Sequence, residues 1–167
     1  GYADVIVGAD YYGNGESNEG RAYVYLGSPS GVQASPAWIA ESNQVNAFFG
    51  VSVATAGDVN GDGYSDVVVG APGYDDAPSA SGKANVYLGS PSGLAAAPAW
   101  TAVPSLNVSS LGNSVASAGD VNGDGFSDVI VGAYSTTNPR LQEGRAEVFL
   151  GSALGLAPSA SWAVESD

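Results

Sequence analysis

The chain has 167 residues, 17 acidic against 4 basic side chains, a formal net charge of -13, and no cysteine, histidine or methionine. That balance makes nucleic acid and anionic membrane surfaces poor partners. The missing residue types remove thiol chemistry, histidine acid–base catalysis and the usual zinc ligands, so no enzyme is expected. No apolar run approaches the length of a membrane span, and none of these residues is expected to form a signal peptide.

In chain order, GYADVIVGAD at residues 1–10 carries Tyr2 and Asp4 and then the strand VIVGA, a β-branched run that recurs as VVVG and VIVG after the two later loops, where it reads as a buried strand. A polar loop, DYYGNGESNE at 10–19, leads to RAYVYLG, where Ala22, Val24 and Leu26 alternate with Tyr23 and Tyr25, the period of a two-faced strand. SPSGVQAS at 28–35 is turn chemistry, and AWIA at 37–40 is a short last strand. After the polar connection 41–47, Phe49-Gly50 opens the strand VSVATAG. A loop at 58–66, the strand VVVGAP, a loop at 73–81, KANVYLG, the turn SPSGLAAAP and AWTA follow. The connection 103–110 then leads through Leu111-Gly112 into the same series again: NSVASAGD, a loop, VIVGAY, a loop at 134–143, GRAEVFLG, SALGLAPSA and a strand at 161–164. No segment has helical periodicity.

Asp4, Asp66 and Asp128 stand 62 residues apart, as do Gly27, Gly89 and Gly151, and Trp38, Trp100 and Trp162. A constant interval kept by three residue types together means one structural unit repeated. The units are expected at 1–43, which lacks its first strand, 44–105 and 106–167. Four short antiparallel strands per unit predict an all-β chain of propeller blades. The tryptophans are expected to fill the gaps between blades; a ligand cage is the alternative reading.

Asp58, Asn60, Asp62, Tyr64 and Asp66 occupy positions 1, 3, 5, 7 and 9 of a loop, and Asp120, Asn122, Asp124, Phe126 and Asp128 do the same. Alternating carboxylate and amide oxygens, with a main-chain carbonyl at position 7, suit a hard cation that wants six to eight oxygens. Gly63 and Gly125 at position 6 allow the sharp turn. An EF-hand would need Glu at position 12, where Val69 and Val131 stand, and a flanking helix in place of the VVVG strand. Calcium is therefore the expected cofactor, with Tyr2 and Asp4 as the remnant of a third loop. A solvated Asp/Asn/Gly turn without metal is the plainer reading. Oxygen-only sites of this kind suit millimolar extracellular calcium.

Phe49-Gly50, DVNGDGYSD and Gly70-Ala71-Pro72 together resemble the FG-GAP repeat of the integrin alpha-subunit propeller. In the third unit Leu111 replaces the Phe and Tyr134 the Pro. The resemblance implies a seven-bladed calcium-binding propeller, displayed at cell surfaces or secreted, that serves as an adhesion or recognition platform. It also implies that the ligand roles fall on the ten loop residues just named, with Tyr64 and Phe126 acting through their carbonyls. Three blades less one strand do not close a ring, so a piece of a longer propeller, or copies that assemble, is expected.

Antiparallel strands put the calcium loops on one face with the third-to-fourth-strand turns. The second-to-third-strand loops share the opposite face with the connections between units. The first face is nearly constant between copies, while the second varies at fixed length: DYYGNGESNE, PGYDDAPSAS, YSTTNPRLQE. The variable face is thus the candidate surface for a protein or carbohydrate ligand, through Tyr11, Tyr12, Tyr74, Asp75, Asp76, Tyr134 and Arg140; drift in exposed loops is the alternative. A structural spacer or self-assembling subunit, pairing through the strand edge that unit one leaves open, is the second functional reading. Asn107-Val108-Ser109 is an N-glycosylation acceptor pattern.

Overall fold

The computed structural model describes residues 1–75, 82–102, 108–137 and 141–166, and the backbone alone of residues 108–109, 135–137 and 141–143. Asp76, Arg140 and Asn107 lie outside the described residues. Among those described there is no helix, and none long and apolar enough to cross a membrane.

The strands run β1 (Val5–Ala9), β2 (Arg21–Tyr25), β3 (Gly27–Ser28), β4 (Gly31–Val32), β5 (Trp38–Glu41), β6 (Val53–Gly57) and β7 (Asp66–Ala71). They continue as β8 (Lys83–Tyr87), β9 (Trp100–Ala102), β10 (Val108–Gly119), β11 (Asp128–Thr137), β12 (Leu141–Phe149) and β13 (Trp162–Glu165). Three antiparallel sheets result, ordered β1-β2-β5, β6-β7-β8-β9 and β10-β11-β12-β13. This is the all-β, four-stranded blade architecture that the repeat predicts, short of one strand in the first sheet and with the ring unclosed.

Two departures have local causes. The turn at 28–35 contains a small ladder, β3 against β4, closed by the Ser28 Oγ, which donates to the Gly31 carbonyl at 2.6 Å. In the third unit the strands run past the expected boundaries, β10 starting at Val108 and β11 reaching Thr137, so part of the loop expected at 134–143 is strand. Its residues YSTT are β-branched or aromatic at most positions and carry no glycine, unlike PGYDD in unit two.

Residue alternation gives each sheet two apolar faces, and successive sheets pack face to face. Ala22, Val24, Trp38 and Ala40 of the first sheet meet Phe49, Val69, Ala71 and Tyr87 of the second. Val68, Ala84, Val86 and Ala102 on the second sheet's other face meet Val129, Val131 and Phe149 of the third. Each interface is closed by a tryptophan. Trp38 donates its indole N–H to the Ala95 carbonyl at 2.9 Å and meets the Tyr87 ring edge-on at 4.8 Å. Trp100 repeats this on Ala157 at 3.0 Å and on Phe149 at 4.8 Å. Trp162 differs from the sequence expectation: it is 51% exposed against 8% for Trp38, because among the described residues no sheet packs on it as the second sheet packs on Trp38. Trp100→Phe, which keeps a ring and loses the indole hydrogen bond, is expected to cost about 1–2 kcal/mol in urea unfolding. A midpoint unchanged from the parent would contradict that role.

Close approach explains the repeated glycines. A Cβ on Gly8 would lie 1.8 Å from the Gly50 carbonyl oxygen, and one on Gly70 would lie 1.8 Å from that of Gly112. Phe49-Gly50 and Leu111-Gly112 are thus the points at which each sheet's leading segment rests on the sheet before it. Both apolar side chains are fully buried, and Phe49 and Leu111 bridge Gly20 and Gly82 in parallel.

Candidate metal centre and opposite face

The 58–66 loop folds around its first carboxylate. Asp58 Oδ1 accepts the Gly61 N–H at 2.7 Å and the Asp62 N–H at 3.1 Å, and Oδ2 accepts the Gly63 N–H at 2.7 Å. Gly61 and Gly63 make this wrap with φ of 74° and 86°, a region that favours glycine. Asp62 then accepts the Tyr64 N–H at 2.9 Å and an Asn60 Nδ2 hydrogen at 2.9 Å. The 120–128 loop repeats these contacts: Asp120 takes the N–H groups of Gly123, Asp124 and Gly125 at 2.7, 3.1 and 2.8 Å. Those N–H groups, Gly125 first, hold the Asp120 carboxyl below the usual carboxylate range, because each favours the charged form.

The ninth-position aspartates stand apart from the other ligand candidates. Asp66 and Asp128 are fully buried. Asp66 accepts the Val59 N–H at 2.8 Å and the Gly89 N–H at 2.8 Å; Asp128 accepts those of Val121 and Gly151 at the same distances. Burial pushes the Asp66 carboxyl up, and the two N–H groups oppose it. These residues tie each loop to the turn that follows the third strand. Asp4 does the same for the Gly27 N–H at 2.8 Å, so the remnant in unit one keeps this contact, while Tyr2 is 61% exposed.

The carboxylates of Asp62 and Asp124 lie at the exposed mouths, with the Tyr64 ring exposed and that of Phe126 half-buried. Among the described residues, no three acidic side chains stand together as a ready metal cluster. The donor chemistry fits a hard cation: carboxylate, amide and carbonyl oxygens on one glycine-bent loop, with N–H groups already fixing the first carboxylate. Ser127 was not singled out by the sequence, yet it joins the two loops. Its Oγ accepts the Asp58 N–H at 3.1 Å and its own N–H donates to the Asp58 carbonyl at 2.9 Å. Only the repeat interval placing it between positions 7 and 9 hinted at this.

On the opposite face, the connection 41–47 bridges neighbouring loops. Gln44 Nε2 donates to the Asp75 carbonyl at 2.7 Å, and the Asp75 N–H donates to Gln44 Oε1 at 2.6 Å. Tyr12 lies under the Arg21 guanidinium at 3.8 Å and Tyr74 under the Lys83 ammonium at 3.1 Å, so both rings are engaged by cations of their own sheets. Tyr11 is 73% exposed and touches Phe48 edge-on; Tyr134 is 63% exposed on β11. Sequence reasoning also passed over Glu19. It is fully buried, with Oε1 accepting the Asn14 N–H and Oε2 without a hydrogen-bond partner among the described residues.

The FG-GAP repeat family matches residues 49–88 and 111–147. Mouse integrin alpha-IIb is 35% identical over 145 residues, covering 82% of this chain and 14% of that protein. Rat integrin alpha-7 is 34% identical over 139 residues, covering 82% of this chain and 12% of that protein. Integrin alpha-5 of Xenopus laevis is 29% identical over 170 residues, covering 95% of this chain and 16% of that protein. The chain therefore spans between a tenth and a fifth of the length of these relatives.

Proposed function

The chain is built of FG-GAP repeats of the integrin-alpha-like kind, and from that premise we propose that it is a calcium-binding β-propeller module for extracellular or cell-surface adhesion and recognition. The observation that carries the reading is the paired loop. Two copies of one oxygen-rich sequence fold the same way, each closed around a first aspartate by three main-chain N–H groups. Asp58, Asn60, Asp62 and the Tyr64 carbonyl would hold one ion, and Asp120, Asn122, Asp124 and the Phe126 carbonyl the other. Asp66 and Asp128 complete the loops from below. The ion would offset the like charges of Asp58 and Asp62 in one loop, and it would stiffen the face on which Ser127 ties the first loop to the second. Millimolar calcium outside cells would keep such sites loaded.

The ligand surface in this reading is the opposite face, where loops of equal length differ in sequence. Tyr11 and Tyr134 present free aromatic area there to a protein or glycan, while Tyr12 and Tyr74 buttress the loops through Arg21 and Lys83. The reading is non-catalytic, since the chain has neither His nor Cys and its clustered carboxylates belong to the metal loops. A thermal melt in excess calcium against excess chelator tests it: the parent should gain several degrees with calcium, because a ligand that binds only the folded state stabilises it. Asp62→Ala should lose a large part of that gain. Equal melting temperatures with and without calcium would overturn the metal assignment.

A further inference from the structure

The sequence contains three asparagine-glycine pairs, Asn14-Gly15, Asn60-Gly61 and Asn122-Gly123. Two lie in the candidate metal loops and one in the 10–19 loop of the opposite face. Such a pair carries a reaction of its own, because glycine puts no side chain in the way when its main-chain nitrogen approaches the preceding side-chain amide. What already holds those two groups decides whether the reaction proceeds.

In the two metal loops both groups are held. The Gly61 N–H donates to Asp58 Oδ1 at 2.7 Å, and the Gly123 N–H to Asp120 Oδ1 at 2.7 Å. Asn60 donates through Nδ2 to the Asp62 carboxylate at 2.9 Å and accepts the Asp62 N–H at 3.3 Å. Asn122 makes the same two contacts with Asp124 at 2.8 and 3.1 Å. Asn14-Gly15 differs on each count. Both residues are exposed, a Cβ on Gly15 would meet nothing within 4 Å, and among the described residues neither the Asn14 amide nor the Gly15 N–H has a hydrogen-bond partner. The Asn14 main chain alone is anchored, through its N–H on the buried Glu19 carboxylate.

We propose that Asn14 is a self-modification site, at which the Gly15 nitrogen displaces ammonia from the Asn14 amide and water then opens the ring to aspartate or isoaspartate. In the first step the Gly15 nitrogen gives up its proton and bonds to Asn14 Cγ, the Cγ–Nδ2 bond breaks, and ammonia leaves with that proton. In the second, water adds to one of the two carbonyls of the succinimide, and the bond from that carbonyl to nitrogen breaks. The product adds a carboxylate to the loop that carries the exposed Tyr11. The fold stays intact because the loop is tied down beyond the pair, with the Asn46 and Phe48 N–H groups on the Ser17 and Asn18 carbonyls at 2.8 and 3.1 Å. The variable face thus changes its charge with time and without an enzyme.

The test holds the full 167-residue chain in mildly alkaline buffer with chelator, below its melting temperature, and follows peptides by mass spectrometry. Chelator removes any ion, so the result does not depend on the calcium reading. Residue 14 is expected to exchange its amide for a carboxyl, with an acidic band appearing on isoelectric focusing. Asn60 and Asn122 should react about tenfold to a hundredfold more slowly, the factor expected when a hydrogen bond to a charged acceptor must break first. In urea all three should react alike. Asp58→Ala, which frees the Gly61 N–H, should bring Asn60 toward the rate of Asn14 and leave Asn122 slow, and the slow Asn122 shows that the variant is folded. Three similar rates in the folded chain, or an Asn14 that stays intact while the urea-treated chain reacts, would overturn the proposal. So would an Asn60 as slow in Asp58→Ala as in the parent.

Discussion

Asp66→Ala is expected to unfold at much lower urea than the parent even in excess chelator, with a loss of about 2–6 kcal/mol. Two buried main-chain donors lose their acceptor, and each buried unsatisfied group costs about 1–3 kcal/mol. Those donors are the N–H groups of Val59 and Gly89, both in buried hydrogen bonds of 2.8 Å. Asp62→Ala, in the same loop, should by contrast change chelator-treated stability by no more than about 0.5 kcal/mol, as surface substitutions do. Its contacts, to the Tyr64 N–H and the Asn60 side chain, are open to solvent. Urea titrations of both variants with and without calcium separate the two roles. Asp66 is then structural before it is a ligand, and Asp62 matters through the ion. Equal losses in chelator would show that the loop's aspartates are not divided in this way.

The second large effect is expected at the glycine contact between sheets. Gly70→Ala forces a methyl group to within 1.8 Å of the Gly112 carbonyl oxygen, a main-chain atom that cannot step aside without separating the second and third sheets. Overpacking of a well-packed site costs about 1–3 kcal/mol, and here the strain falls on backbone at the seam of two cores, which places the loss at or above the upper end. Gly132 occupies the same place in the third sheet, where the nearest neighbour of a Cβ is the Ser114 Cβ at 3.5 Å. Gly132→Ala should therefore be nearly neutral. A thermal melt of the two variants side by side decides the matter. Similar losses would mean that the sheet contact is not what makes Gly70 a glycine.

The repeat made most of this fold legible. A 62-residue interval carried by aspartate, glycine and tryptophan places the strands of the second sheet, the seat of Trp38 and Trp100 and the opposition of the two faces. Sequence spacing could not show how each loop aspartate spends its oxygens. Asp58 and Asp66 look alike at positions 1 and 9, yet one is wrapped by its own loop and the other reaches across to Gly89, a contact that depends on how the sheet folds back. The exposure of Trp162 was illegible for a related reason, because burial of a repeat's face depends on the neighbour and not on the repeat itself. The same holds for Tyr12 and Tyr74. Exposed in a linear reading, they are capped by Arg21 and Lys83, whose side chains reach them only once the strands pair.

Calcium stoichiometry tests the account most directly. Chelator-stripped protein titrated with calcium in a calorimeter, across the millimolar range that suits oxygen-only extracellular sites, should bind two ions in the parent. Asp62→Ala and Asp124→Ala should each bind one, and the double variant none. No calcium-dependent heat in the parent, or the same stoichiometry in all four proteins, would contradict the assignment of the 58–66 and 120–128 loops as metal sites.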